Sequence, residues 1–223
     1  MNTRTAPRFA LLLVAIALLV ALPAMLTGCG NTTTATTAAK TSGGFKTYTD
    51  PVYGFSFVYP SDWQIKSSDK AQVTSGAAAL YTLGAYNPRG ASAQGSYIDV
   101  MEVQLYALDA SVTESMRDQI KPKVQDLFSN LEKQSGGWKA IGQLTDVAYG
   151  DLWGWKMTYS FTVKGTPSYT TFYALFHDTM EYQLLVQASS ATWDGYKSIF
   201  DTFVSSLRAG ASSSAATTAS TSK

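Results

Sequence analysis

Trp155-Lys156-Met157-Thr158-Tyr159-Ser160-Phe161-Thr162-Val163 alternates large apolar with polar residues. A strand sends successive side chains to opposite faces, so Trp155, Met157, Tyr159, Phe161 and Val163 share one face and the polar residues the other. A helix would scatter the same residues around its axis. The segment therefore reads as a half-buried strand of an antiparallel sheet. Lys164-Gly165-Thr166-Pro167 supplies turn residues into a second strand over residues 169–176, and Asp178-Thr179 leads into a third over 181–188.

Working outward, residues 138–149 read as a strand before this meander, and the chain closes with a helix over about 192–208. That helix carries Trp193, Tyr196, Ile199, Phe200, Phe203 and Leu207 as one stripe. A longer helix is predicted for 111–134. Ser111-Val112-Thr113-Glu114 has the form of a capping box, and Val112, Met116, Ile120, Val124, Leu127, Phe128 and Leu131 recur at helical spacing. Pro122 is expected to kink it. Further upstream, residues 78–86 and 97–107 read as strands joined through Asn87-Pro88-Arg89-Gly90. This order of elements gives an α+β domain, an antiparallel sheet flanked by helices.

The first folded stretch contains Tyr48, Asp50, Gly54-Phe55-Ser56, Tyr59-Pro60 and Trp63. This series resembles the opening of PsbP/Mog1-like domains, and the order of elements fits the same resemblance. The resemblance implies an α/β/α sandwich over residues 45–208 and a role closer to an assembly factor or adaptor than to an enzyme.

The N-terminus carries a separate message. Arg4 and Arg8 precede an apolar run from Phe9 to Leu22, shorter than the ~20 residues of a membrane span. Pro23 follows, and then Leu26-Thr27-Gly28-Cys29. This sequence resembles the lipobox of bacterial lipoproteins. The resemblance implies a signal peptide over 1–28, cleavage between Gly28 and Cys29, and lipid on Cys29. Several acyl chains would then hold the protein on the outer face of the cell membrane. Cys29 is the single cysteine, so no internal disulfide is available.

Residues 29–44 and 209–223 are rich in Thr, Ser, Ala and Gly and lack large apolar side chains. They read as a flexible linker and a disordered tail on either side of the domain. With Arg4 and Arg8 removed, 15 basic residues face 16 acidic ones. No cluster of Lys and Arg suggests nucleic acid as a partner.

Recognisable chemistry is scarce. His177 is the sole histidine, and its neighbour Asp178 points to the opposite face of a strand, a poor position from which to orient it. No Gly-x-Ser-x-Gly elbow or phosphate-binding glycine loop is present. One His and one Cys cannot furnish an ordinary zinc site, and Asp146 to Asp151 lacks the pattern of a calcium loop. Asp99 and Glu102, an odd number apart, fall on opposite faces of a regular strand, unlike a glycosidase pair. Neither a catalytic residue nor a cofactor or metal is expected.

The remaining candidates are aromatic. Trp138, Trp153, Trp155 and Tyr149 could form a platform for a glycan or a small ligand, though aromatics in a sheet are more often core. The leading expectation is a tethered binding or accessory module for an extracytoplasmic protein or cell-wall partner. A glycan binder and a hydrolase with a dispersed acidic site are the alternatives.

Overall fold

The computed structural model describes residues 43–68, 73–74, 77–78, 81–134 and 137–210. Gly28, Cys29 and nearly all of both tails lie outside them. The strands are β1 (Phe45–Thr49), β2 (Ser56–Pro60), β3 (Gln64–Ser68), β4 (Val73–Thr74), β5 (Ala77–Ala78), β6 (Tyr81–Tyr86), β7 (Ser92–Ala93), β8 (Ser96–Tyr97), β9 (Val100–Val112), β10 (Lys139–Tyr149), β11 (Leu152–Val163) and β12 (Thr166–Ser189). Helix α1 spans Arg117–Gln134 and α2 spans Trp193–Ser206.

The main sheet runs β10-β11-β12-β9-β6-β3, antiparallel throughout. β11 is the strand its alternation predicts: Trp155, Tyr159, Phe161 and Val163 are buried and Thr162 is exposed. Lys164 and Gly165 turn the chain with φ of 47° and 88°, the positive values a two-residue primed hairpin turn demands. β12 doubles back on itself. A straight strand of its length would reach ~80 Å, but the Ser190 amide donates to Pro167 O (2.9 Å) and the Thr170 hydroxyl to Val186 O (3.1 Å). The reversal falls at Asp178, where φ is 50°. The first arm pairs with β11 and the second with β9, which agrees with the two strands read from the sequence.

Each face of the sheet carries its own core. α2 and the β1–β2 hairpin cover one side, where Phe57, Tyr196, Phe200 and Phe203 meet Leu105, Tyr182 and Leu184. α1 covers the other over β11 and the first arm of β12, packing Ile120, Val124 and Phe128 on Trp155, Tyr159 and Phe172. The domain is thus three-layered and α+β, as expected. Among the described residues no helix is long and apolar enough to cross a membrane.

The opening motif has a local cause. Asp50 is buried, and its Oδ1 accepts the amides of Val52 (2.9 Å) and Tyr53 (2.7 Å) while Tyr48 donates to Oδ2 (3.1 Å). Gly54 follows at φ 70°, which favours glycine, and Phe55 enters the core. Trp63 is buried against Tyr196, ring centroids 5.6 Å apart.

Two boundaries differ from the sequence reading. Ser111 does not cap a helix: it and Val112 prolong β9, and helical turns begin at Glu114. Burying Val112 opposite Asp178 outweighs the local capping preference. α1 runs uninterrupted past Pro122. At the other end, Arg208 leaves α2 and bridges back to Ser56 in both directions (3.1 and 2.9 Å). The chain end is tied in at Gly210, whose amide donates to the Tyr182 hydroxyl (3.1 Å). A β-carbon at Gly210 would collide with the Tyr53 carbonyl.

Candidate functional site

The aromatic residues singled out from the sequence do not form an open platform. Trp153 and Trp155 are 6% and 0% exposed, and Trp138 is 8% exposed. Trp138 packs on Phe161 (4.9 Å), Trp153 on Phe176 (5.4 Å), and the Arg117 guanidinium lies over Trp153 and Trp155 at 5.2 and 5.4 Å. Tyr149 packs with the opposite core, near Tyr173. These four residues belong to two interiors, because both faces of the sheet are covered. Gly154 is required between the tryptophans: any β-carbon there would overlap the Ala174 carbonyl on β12.

The acidic and basic candidates also have separate tasks. The His177 ring contacts Asp151, 3.2 Å from its carbonyl and 3.5 Å from its carboxylate, a partner that sequence adjacency to Asp178 did not suggest. Asp146 pairs with Arg117 (3.4 Å) and Lys121 (3.3 Å). Asp99, fully buried just before β9, accepts the Ala91 amide (2.8 Å), the Ser189 amide (3.1 Å) and the Thr192 hydroxyl (3.1 Å). Burial pushes its carboxyl above the usual range, and the hydrogen bonds pull it partly back. Asp99 ties the loop before β9 to the start of α2. Among the described residues, no three of His, Cys, Asp and Glu gather at one point.

The unexpected feature is a polar row on the α1 side of the sheet, where β9 meets the second arm of β12. The register sets Tyr106 opposite Glu181, Gln104 opposite Gln183 and Glu102 opposite Leu185. Tyr106, Glu181 and Gln183 are buried and Glu102 and Gln104 half-buried. Tyr106 donates to Gln104 Oε1 (2.8 Å), Gln104 to Glu102 Oε1 (2.7 Å), and Gln183 to Glu181 Oε1 (2.8 Å). Desolvation raises both carboxyls, Glu181 to about 7, with the glutamine bonds opposing. The Tyr106 hydroxyl is driven up by burial and then by the charges of Glu181 and Glu102. Chemically, the row is a strip of acceptors and amides in which burial favours the protonated carboxyls.

A weak sign of this row is present in the sequence. Glu102, Gln104 and Tyr106, like Glu181 and Gln183, recur at the strand period and contain no Lys or Arg. The solvent-facing side of a strand ordinarily mixes in such cations.

An antiparallel sheet with helices on both faces and a terminal helix locked to the first hairpin defines the class. A family model for PsbP-like protein matches residues 9–204, and the chain belongs to that family. Among solved structures, LpqN of Mycobacterium tuberculosis, described as involved in cell envelope biogenesis, shares 13% identity at a TM-score of 0.50, over 75% of this chain and 92% of that one. A crystal structure from Bacteroides thetaiotaomicron shares 14% identity at a TM-score of 0.50, over 75% of this chain and 49% of that one, so the chain spans about half its length. The cyanobacterial PsbP of Synechocystis aligns over 81% of this chain and 98% of its own, with 12% identity and a TM-score of 0.46. No curated protein matches the sequence.

Proposed function

We propose that the chain is a lipid-anchored, extracytoplasmic binding or accessory module that performs no chemistry of its own. The observation that carries this reading is the span of the family match. It begins at residue 9, inside the apolar run, and ends at 204, which supports reading that run as a leader to the domain. The lipobox-like Leu26-Thr27-Gly28-Cys29 lies between the two. The setting described for LpqN, cell envelope biogenesis, is compatible with that address. The side chains that most resembled catalytic groups are bound up in structural contacts, His177 with Asp151 and Asp99 with three chain donors. The partner is proposed to be an extracytoplasmic protein, with the membrane engaged through lipid on Cys29.

Two experiments test this. Metabolic labelling with a palmitate analogue should mark the protein, and Cys29→Ala should abolish the label and release the protein from membranes. An unlabelled chain, or a Cys29→Ala chain that stays membrane-bound, refutes the anchor. Crosslinking on intact cells should enrich a partner over a lipidated control bearing the same linker; equal recovery from both refutes the module.

A further inference from the structure

Within the main sheet, the half containing β3, β6 and β9 joins the half containing β10, β11 and β12 through one strand pairing, that of β9 with the second arm of β12. Its two sides differ in kind. Toward α2 the seam is apolar: Leu105 opposite Tyr182, Val103 opposite Leu184, Met101 opposite Val186, all buried. Toward α1 it is the polar row of Glu102, Gln104, Tyr106, Glu181 and Gln183.

The ionising groups on that side can be named element by element. β9 brings Glu102 and Tyr106, and β12 brings Glu181. β6 brings Tyr86, and β3 brings Lys66, separated from Glu102 by the width of Gly84. On α1, Arg117 lies on the tryptophans and pairs with Glu114 and Asp146, Lys121 pairs with Asp146, and Lys123 is half-buried. The hydrogen bonds of the two glutamates in the row come from neutral amides, Gln104 and Gln183.

Such a strip favours neutral carboxyls. A charge there gives up hydration that one amide bond replaces only in part. Parting the strands returns both groups to water, so ionisation favours the open form over the closed one.

We propose that the seam between β9 and β12 is a proton-operated joint: with Glu102 and Glu181 neutral the two halves of the sheet are zipped together, and charging the pair lets the seam open locally and rezip. Because burial holds Glu181 at about 7, the joint responds around neutrality. It concerns motion within the domain and stands whether or not the lipid-anchor reading does.

Amide hydrogen exchange on the intact chain at about pH 5.5 and pH 8 tests it. After correction for intrinsic rates, the opening constants of Val103, Leu105 and Leu184 should rise about twentyfold between the two, from Glu181 titrating near 4.5 when open and near 7 when closed. Reference amides in the pairing of β11 with the first arm of β12, Met157 and Phe172, should have opening constants at least tenfold smaller than the seam's at both pH values, because they open only with the whole domain. Glu181→Gln should cut the rise to less than about threefold. Should that variant not fold, Glu102→Gln should shrink the rise by removing the seam's other raised carboxyl. Seam amides that open no more often than the reference pair, or a rise undiminished in either folded variant, would overturn the joint.

Discussion

Replacing Asp99 with Ala should unfold the corner where the β7–β8 hairpin, the end of β12 and the start of α2 meet. Three donors converge on that buried carboxylate: the amides of Ala91 and Ser189 and the hydroxyl of Thr192. Tyr196 adds a fourth interaction through its own hydroxyl, which also takes the Asn87 amide at 2.6 Å. A buried donor left without an acceptor costs about 1–3 kcal/mol. The loss for the three donors together should come to about 4–6 kcal/mol, since relaxation and entering water recover part of the total. Asp99→Asn should cost less, about 2–3 kcal/mol: its oxygen can still accept from Ser189 and Thr192, but its amide nitrogen meets the Ala91 N–H as donor to donor. Urea unfolding followed by tryptophan fluorescence reads both, provided the slope stays constant between variants. A loss below about 1 kcal/mol for Asp99→Ala would show that the corner does not depend on this carboxylate.

Glu181 makes global stability fall as the solution becomes more alkaline. Its folded-state pKa, about 7, lies above the unfolded value of 4.5, so between these values the folded chain holds the extra proton. The contribution is full below about pH 4.5 and is lost by about pH 7, a change of about 3 kcal/mol. The raised carboxyls of Glu102 and Asp99 act in the same direction. Unfolding midpoints measured from pH 4.5 to 8 should decline in the wild type and flatten in Glu181→Gln; parallel curves would contradict the assignment. Gly154→Ala should destabilise by about 2–4 kcal/mol, since the obstacle is the Ala174 backbone and cannot swing aside. A thermal midpoint within about 2 °C of wild type would mean the two strands can separate there at little cost.

The residues that decided the fold were legible because local physics and tertiary packing agree in them. β11 alternates, and both faces of the sheet use the alternation. Tyr48, Asp50 and Gly54 belong to one turn, so their spacing carries the geometry directly. The start of α1 was misread for the opposite reason: Ser111 offers a good cap, but pairing with β12 claims its segment. The tryptophans of β11 could not be assigned to core or surface until α1 lay over them. The polar row was hidden by the same gap. Glu102, Gln104 and Glu181 occupy the positions a half-buried strand gives to solvent, and only neighbouring elements show that solvent is largely excluded.

The clasp between the two ends of the domain bears on its biosynthesis. The first hairpin is completed by Arg208 against Ser56 and by Gly210 beneath Tyr53, contacts separated by about 150 positions of chain. A growing polypeptide therefore emerges with its opening strands lacking their final neighbours until nearly every codon has been read. That lag leaves the first hairpin among the last parts of the domain to close.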